Sequence, residues 1–369
     1  MTERVIFIDP SGRGGIGQYT FCLAREMVRL GLDVVLATSE DWEFRHQPSG
    51  ILPCYCFRGY RTCPWAVSRE VARFVSHDTL AVHWQSASHP VLLWLLQVYA
   101  RRGLAKPPWV FTVHNVLPHE IRRLDRVFYA LVYRRMEGLI FHGRTSRDRF
   151  ERLFPLKGRR WATIPHGEYV FHFEQRPSPG PNLTAKNILF FGNIRPYKGL
   201  TYLLRAFQLV RQQVPGARLL VIGQPLEDFT PYRREIDLLG MDQDVEVELR
   251  YVPNEEVVEV FSRATVVALP YTDVCQSGVL LLAYGAGIPA VASAVGDLGD
   301  AVLDGETGLL VPPKDVPALR DGLVTLLSNP ELCRQMGRRA KELADTEYNW
   351  PGIAKRTLDF YRTLQPVSR

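Results

Sequence analysis

Short β-branched runs alternate with helical patterns along nearly the whole chain, and this alternation restricts the possible folds more than any other feature. The runs have the length and composition of strands, and the segments between them have the periodicity of helices. The predicted strands are residues 5–9, 33–37, 79–83, 109–114, 139–142, 161–165, 188–191, 218–222, 245–249, 265–269, 290–293 and 309–311. Because strand–helix alternation produces parallel sheets, the sequence predicts an α/β protein.

Length and charge both divide the chain into two parts. At 369 residues it exceeds the ~250–300 residues at which one hydrophobic core usually stops growing. Residues 1–180 carry 25 lysines and arginines against 16 acidic residues, whereas residues 181–369 carry 20 against 23. Prolines cluster at the same place. We therefore predict an amino-terminal domain over 1–175, a linker over 176–187, a carboxyl-terminal domain over 188–348 and a terminal helix over 351–369.

Several protein classes are excluded by composition. The longest apolar stretch, residues 90–100, is far shorter than the ~20 residues that cross a bilayer. Residues 1–30 do not have the pattern of a signal peptide, so a cytoplasmic location is expected. Six cysteines are too few for a disulfide scaffold, and Cys54, Cys56 and Cys63 do not have a standard zinc spacing. Reduced thiols and no structural metal are expected.

A glycine-rich loop follows the first predicted strand and precedes a helix. Gly14, Gly15 and Gly17 let backbone N–H groups approach an anion at the start of that helix. The spacing differs from the dinucleotide fingerprint, and no acidic residue follows the second strand where a ribose would need one. A nicotinamide-dependent oxidoreductase is therefore disfavoured, although it stays a third alternative.

Two cations stand on a tight turn after the strand at 188–191. Arg195 and Lys198 flank Pro196, and Gly199 precedes the next helix. The carboxyl ends of parallel strands are where such sheets bind ligands, so this turn is predicted to bind a diphosphate. The alternative is a capping loop with solvated cations.

A further helix start follows the strand at 265–269. Ser277, Gly278 and Val279 present backbone amides that can bind an anion. A fourth glycine turn, residues 296–300, follows the next strand.

Histidines follow several strands of the first half. His83 with Trp84, His114 with Asn115, and His142 are all expected at one sheet edge. A single histidine in such a place is more often structural, and His114 is the one predicted to be functional.

These segments together resemble glycosyltransferase family 4, a family of retaining enzymes with the GT-B fold. RPYKGL, SGVLLLAYGAGIPAV, DGETGLLVPPKD and WPGIAKRTLDFY resemble its carboxyl-terminal half, and GGIGQYT, FTVHN, FHGRT and IPHGEY resemble its amino-terminal half in the same order. The resemblance implies two Rossmann-like domains with parallel sheets facing across a cleft. It also implies that the second domain binds a nucleotide-sugar donor, the first binds the acceptor, and the terminal helix crosses back to the first.

The resemblance also implies roles for single residues. Arg195 and Lys198 would bind the donor diphosphate, and His114 would face the transferred sugar. The Gly14–Gly17 loop, with Gly15 and Gly17, would approach the phosphates or the acceptor. His83, Trp84 and Asn115 are expected on the acceptor side. The implied activity is transfer of a hexose from a UDP- or GDP-sugar to a saccharide or lipid-linked saccharide in polysaccharide or glycoconjugate biosynthesis.

No cofactor or metal is expected for this reaction. The one Asp-x-Asp string, at residues 242–244, lies in an acidic stretch before a strand and is predicted to be a surface turn. Cationic side chains and helix-terminal amides would therefore stabilise the leaving nucleotide.

The chain departs from the family at a pair of glutamates that contact the sugar and the ribose. Val274 and Leu282 stand at those positions. Asp273 could replace the sugar-contacting carboxylate, and Asp297 or Glu306 is the nearest acidic substitute for the other. The departure keeps open a catalytically silent GT-B homologue that acts as a binding or partner subunit.

A basic helix is predicted over residues 120–136. It carries an apolar side flanked by five arginines, namely Arg122, Arg123, Arg126, Arg134 and Arg135. It is either a buried helix with a basic outer face or a peripheral contact with an anionic membrane, at its inner face, or with a pyrophosphate-bearing lipid. No nucleic acid partner is expected.

Overall fold

A computed structural model describes residues 2–47, 49–59, 62–85, 94–95, 97–98, 106–116, 125–156, 158–168, 178–273 and 276–365. The chain divides into two compact units. Unit 1 is Met1–Gly167 together with Asn349–Arg369, and unit 2 is Glu168–Tyr348.

Unit 1 contains a seven-stranded sheet of order β3-β2-β1-β4-β5-β6-β7. Its strands are β1 (Arg4–Ile8), β2 (Asp33–Ser39), β3 (Leu52–Phe57), β4 (Thr79–Trp84), β5 (Trp109–Thr112), β6 (Gly138–Phe141) and β7 (Arg160–Thr163). Each neighbouring pair is parallel. All carboxyl ends therefore lie along one edge of the sheet.

Unit 2 contains a six-stranded sheet of order β10-β9-β8-β11-β12-β13. Its strands are β8 (Asn187–Phe191), β9 (Arg218–Ile222), β10 (Val245–Glu248), β11 (Val266–Leu269), β12 (Ala290–Ser293) and β13 (Gly308–Val311). These pairs are parallel as well.

Helices lie between most of the successive strands in both units. Those in the described residues are α1 (Gly14–Arg29), α2 (Pro64–Ala72), α3 (Asp125–Tyr133), α4 (Arg144–Leu153), α5 (Leu200–Gln213), α6 (Thr230–Leu238), α7 (Val257–Ser262), α8 (Gly278–Gly285), α9 (Gly296–Ala301), α10 (Val316–Ser328), α11 (Pro330–Glu347) and α12 (Trp350–Thr363). None of the described helices is long and apolar enough to span a membrane.

The sheet of unit 2 is covered on both faces, as parallel sheets usually are. Along β11, Val267 and Leu269 belong to one apolar cluster, whereas Val266 and Ala268 belong to another. Alternate residues of β8 and β9 divide between the same two clusters. This arrangement explains why these strands are continuous apolar runs in the sequence.

The last helix, α12, completes the core of unit 1. Asn349 Oδ1 accepts a hydrogen bond from Gly352 N and fixes its start. The Trp350 ring packs against Tyr19, with ring centroids 5.2 Å apart. Further along, Phe360 packs so closely on β6 that a Cβ added at Gly138 would lie 2.9 Å from its ring. The helix is thus an internal part of unit 1.

The α/β prediction with parallel sheets is confirmed, and each predicted strand is present, with small differences at the ends. Strand β3 was not predicted. The described part of the predicted linker, residues 178–187, packs on unit 2: Gly180 N donates to Ala286 O (2.9 Å) and Asn182 N to Ala264 O (2.8 Å). It therefore belongs to that unit and does not connect the units freely.

The cysteines of the described chain form no disulfide. Cys22 in α1 and Cys333 in α11 are buried, while Cys63 is exposed. Cys275 lies outside the described residues.

Candidate active site

The strand order of each sheet reverses once, and the predicted glycine loop and Arg195–Lys198 turn follow the strands at which it reverses. In unit 1, β1 lies between β2 and β4; in unit 2, β8 lies between β9 and β11. Loops that leave neighbouring strands in opposite directions form a crevice at the carboxyl edge, which is the usual ligand position in such sheets. The loops after β1, β4, β8 and β11 are thus the candidate positions.

The turn after β8 is held rigidly in unit 2. Pro196–Lys198 forms one turn of 3₁₀ helix, and Gly199 follows with φ +73°. A Cβ at Gly199 would lie 2.0 Å from the carbonyl oxygen of Pro270, so only glycine fits there. Thr272 N donates to Tyr197 O (2.7 Å) and ties this turn to the loop after β11.

Lys198 is a buried cation on that turn. Only 7% of the residue is exposed, its Nζ lies 3.4 Å from Phe191 O, and the ammonium stands 5.5 Å from the centre of the Tyr271 ring. In the described part of the chain neither Lys198 nor the half-buried Arg195 forms an ion pair. Burial, and then the charge of Arg195, lower the pKa of Lys198 to about 8. An anionic ligand would supply the missing negative charge.

The start of α8 lies close to the same turn. Ser277 Oγ accepts from Leu280 N (3.2 Å) and donates to Tyr271 Oη (3.3 Å), so this hydroxyl is already used. The first-turn amides of Gly278 and Val279 have no acceptor within the helix. The Val279 side chain packs in the core, so any ligand contact there comes from backbone.

The acidic candidates lie in different surroundings. Asp273 is exposed in the loop after β11, and residues 274–275, including Val274, lie outside the described chain. Leu282 is a core residue of α8. Asp297 is buried in the first turn of α9, and Glu306 is exposed before β13.

In unit 1, the glycine loop is organised by two carboxylates. Buried Asp9 accepts hydrogen bonds from Ser11 N (3.3 Å) and Gly12 N (3.1 Å), and burial raises its pKa. Glu43 Oε2 accepts from Gly14 N (3.3 Å), so a side chain of the protein occupies one predicted anion contact. Gly15 is exposed.

Gly17 has a structural reason to be glycine. A Cβ at this position would lie 2.6 Å from the backbone carbonyl carbon of Gly12. Its role is therefore close packing of α1 on the loop.

Three histidines of unit 1, His114, His142 and His166, surround Tyr19, and His83 is joined to them through Gln85. The Tyr19 ring lies 4.8 Å from the ring of His114, 5.2 Å from His142 and 4.9 Å from His166, measured between centroids. His142 Nδ1 donates to Ile164 O (3.0 Å), and His142 Nε2 lies 3.0 Å from His114 Nδ1. His114 Nε2 lies 3.4 Å from Gln85 Oε1.

Burial keeps these histidines neutral. Desolvation lowers the pKa of His83 and of His142 to about 3 and that of His166 to about 4. The pKa of His114 is also lowered well below its ordinary value, first by burial and then by the neighbouring histidines. Neutral imidazoles form hydrogen bonds with hydroxyl groups and do not attract anions.

His83 and Trp84 were predicted on the acceptor side, and the structure corrects both. His83 is fully buried, with Nδ1 2.5 Å from Tyr361 Oη and Nε2 2.7 Å from Thr112 Oγ1. Trp84 is also fully buried and packs on Phe57. Neither side chain is exposed at the sheet edge. His114 and Asn115 are half-buried, so part of each residue is accessible.

Tyr19, Tyr361, Trp350 and Tyr271 contribute to these sites but were not recognised in the sequence. The first three join the histidine cluster, and Tyr271 packs over Lys198. Each stands far along the chain from the histidine or lysine that it contacts, so no local pattern pointed to it.

The Asp-x-Asp string lies in a surface turn, as predicted. Asp244 Oδ2 accepts from Arg211 Nη1 (2.6 Å), and Asp242 lies 3.8 Å from Arg233. Across the described ranges, no cluster of three or more histidine, cysteine or acidic side chains is arranged to hold a metal ion.

Comparison with protein families gives a match for each unit. Residues 13–167 match the model described as Glycosyltransferase Family 4, and residues 185–329 match that described as Glycosyl transferases group 1.

Curated relatives match mainly over part of their length. A D-inositol 3-phosphate glycosyltransferase of Corynebacterium efficiens is 35% identical over 60% of this chain and 53% of its own. The D-inositol 3-phosphate glycosyltransferase of Corynebacterium urealyticum is 32% identical over 51% of this chain and 46% of its own. The chain thus spans about half the length of these relatives. A GDP-mannose-dependent alpha-(1-6)-phosphatidylinositol monomannoside mannosyltransferase of Mycolicibacterium smegmatis is 25% identical over 92% of this chain and 93% of its own.

Solved structures match over almost the entire chain. HepE of Anabaena, in complex with UDP and glucose, has a TM-score of 0.78 at 17% identity, covering 98% of this chain and 100% of its own. A glycosyltransferase of Rickettsia africae has a TM-score of 0.79 at 13% identity and complete coverage of both chains. The fold is therefore GT-B.

The buried histidines predict acid sensitivity. Their pKa values lie below the unfolded value of ~6.5, so the unfolded chain binds more protons below that pH, and stability is lost as pH falls from about 6.5 toward 4. At pH 5 each histidine of pKa about 3 lowers the free energy of unfolding by about 2 kcal/mol. Urea unfolding from pH 7 to 5 measures this loss.

His83→Gln should reduce the slope of the free energy of unfolding against pH, and the same change at exposed His77 should not. Equal slopes for both variants would contradict the assignment.

Proposed function

Because the chain belongs to glycosyltransferase family 4, we propose that it transfers a hexose from a UDP- or GDP-sugar to a saccharide or lipid-linked saccharide acceptor. The proposed reaction retains the anomeric configuration, needs no metal ion, and serves polysaccharide or glycoconjugate biosynthesis in the cytoplasm. The similarity to relatives named as glycosyltransferases, and to a fold that holds UDP and glucose in HepE, supports this proposal.

The observation that carries the proposal is the unpaired positive charge at the turn after β8. Lys198 is buried beside half-buried Arg195, and no carboxylate of the described chain pairs with either. A buried charge without a partner is costly, so the site favours a ligand that brings negative charge. A nucleoside diphosphate has this charge, and the first-turn amides of α8 add neutral donors nearby.

The same groups fit the chemistry of transfer. When the glycosidic bond of the donor breaks, the leaving diphosphate gains negative charge. Arg195 and Lys198 would stabilise that charge in place of a metal ion, and because the turn is locked by Gly199 and Thr272 they need little rearrangement. His114, which is neutral, would contact a hydroxyl of the transferred sugar.

Removal of either cation should slow transfer strongly. Arg195→Ala and Lys198→Met should each lower kcat by roughly 10²–10³-fold, the scale found when one stabiliser of a developing anion is lost. Turnover of UDP- and GDP-hexoses is measured in excess chelator, and the anomeric configuration of the product is read by NMR.

Arg205→Ala is the matched control, because Arg205 is exposed in the same unit and pairs with Glu235. It should leave the rate unchanged. Near-normal rates for both turn variants would reject the diphosphate assignment. Activity that disappears in chelator and returns with added magnesium or manganese would reject metal independence.

Asp273 distinguishes an active enzyme from a silent homologue. If its carboxylate replaces the sugar-contacting glutamate, Asp273→Asn removes a charge-assisted hydrogen bond worth about 1.5–3 kcal/mol and lowers activity by roughly 10–100-fold. The assay is hexose transfer with the wild type and this variant side by side, and exposed Asp321→Asn is the control.

Two results would contradict this role. An active wild type with an unimpaired Asp273→Asn variant would leave the amides of Gly278 and Val279 as the sugar-side contacts. A wild type that binds nucleoside diphosphates but turns over no nucleotide sugar would favour the silent homologue.

The described part of the basic helix supports a peripheral membrane contact at the inner face. In unit 1, α3 and the end of α4 enclose an open cavity of about 300 Å³, lined by Leu153 and Phe154 and rimmed by Arg134 and Arg159. Burial and the charge of Arg134 lower the pKa of Arg159, and neither arginine has an ion-pair partner among the described residues. Val127 is exposed beside them. Residues 120–124 of the predicted helix lie outside the described chain.

Binding to lipid vesicles tests this contact. The protein should cosediment with vesicles that contain anionic lipid and not with purely zwitterionic ones. Arg126→Gln, Arg134→Gln and Arg159→Gln together should weaken binding about 100-fold, at about 1 kcal/mol for each basic residue near the surface. Replacing three exposed arginines of unit 2, Arg205, Arg233 and Arg338, is the control. Equal binding to both kinds of vesicle would contradict the proposal.

A further inference from the structure

A row of hydrogen-bonding side chains runs through the histidine cluster of unit 1. It begins at the carbonyl of Ile164 and passes through His142, His114 and Gln85 to His83. The heavy-atom separations along this row are 3.0, 3.0, 3.4 and 3.3 Å in that order. The direction in which hydrogen bonds are donated along this row decides which nitrogen of each ring carries the proton.

The carbonyl of Ile164 sets the direction at one end. A carbonyl oxygen only accepts, so His142 must carry its proton on Nδ1. No carboxylate of the described chain bonds to His142 or His114, and charging one ring would place it beside another buried imidazole. His142 is therefore neutral, and its Nε2 carries only a lone pair.

His114 then has one possible arrangement. Its Nδ1 lies 3.0 Å from the lone pair of His142 Nε2, so Nδ1 carries the proton and donates. Nε2 of His114 is left as an acceptor. The amide of Gln85 matches this when its NH₂ group faces His114 and its oxygen faces His83 Nδ1, the two orientations of an amide having the same shape.

We infer that His142 is a positioning residue, which holds His114 in the tautomer with its proton on Nδ1. Nε2 of the half-buried His114 then accepts a hydrogen bond from a ligand hydroxyl, in place of the long 3.4 Å contact with Gln85. The ligand class selected at this point is a neutral polyol, and a carboxylate is disfavoured because it would face a lone pair. This second step rests on the proposed function, whereas the tautomer does not.

Imidazole ¹⁵N NMR of the full-length chain tests the tautomer directly. His114 is identified as the ring that disappears in His114→Asn. The expected wild-type spectrum has a protonated Nδ1 and an unprotonated Nε2 for this ring. The opposite pattern, or a doubly protonated ring at neutral pH, would overturn the inference without any variant.

Variants of His142 test its control over His114. His142→Phe keeps the ring that packs on Tyr19 but has no acceptor, so the proton of His114 should move to Nε2. His142→Gln offers a carbonyl oxygen and should restore the original pattern. His166→Asn is the control, since His166 makes no hydrogen bond to His114. An unchanged His114 pattern in His142→Phe would overturn the positioning role.

The functional step is tested by a double-mutant cycle in the transfer assay. His142→Phe should lower kcat/KM by about 3- to 10-fold, the effect of one neutral hydrogen bond. The same substitution in a His114→Ala background should change nothing further. Independent effects of the two substitutions would contradict the coupling. If no transfer is found with any donor, the proposed function fails while the NMR result still decides the tautomer.

Discussion

The parallel direction of every described strand pairing is the constraint on which the remaining features depend. Parallel strands need crossover connections, and most of these connections contain helices, which cover both faces of the sheet in unit 2. Side chains that follow the strands can then gather only along the carboxyl edge. His114, His142 and His166 follow β5, β6 and β7, and the Lys198 turn and Tyr271 follow β8 and β11. Two chemically different sites arise from one topological rule.

The two edges differ in how they treat charge. Unit 1 buries four imidazoles close together, and desolvation keeps them neutral. Unit 2 buries one ammonium beside a guanidinium, and although its pKa is lowered to about 8 the group remains mainly charged at neutral pH. The first arrangement suits hydroxyl groups and the second suits phosphate oxygens.

Sequence reasoning worked where a local pattern determines structure and failed where a distant residue does. Strands with continuous apolar runs were predicted because both of their faces are buried, whereas β3 (LPCYCF) contains proline and half-exposed residues at the sheet edge. The turn at Arg195–Lys198 was recognised from its own residues. By contrast, Tyr361 lies 278 residues from His83 in the chain, and only the fold reveals that the two side chains are hydrogen-bonded. The contact between Glu43 and the glycine loop was hidden for the same reason.

The position of α12 also bears on how the chain is made. Unit 2 is one continuous segment, but unit 1 receives Trp350, Phe360 and Tyr361 from residues translated after all of unit 2. On the ribosome, unit 2 can therefore fold before unit 1 has a complete core. Until α12 emerges, the surfaces around Tyr19 and Gly138 stay open to solvent. In an interrupted translation product these apolar surfaces would stay uncovered. Chaperones and proteases could then recognise them as a feature of unfinished chains.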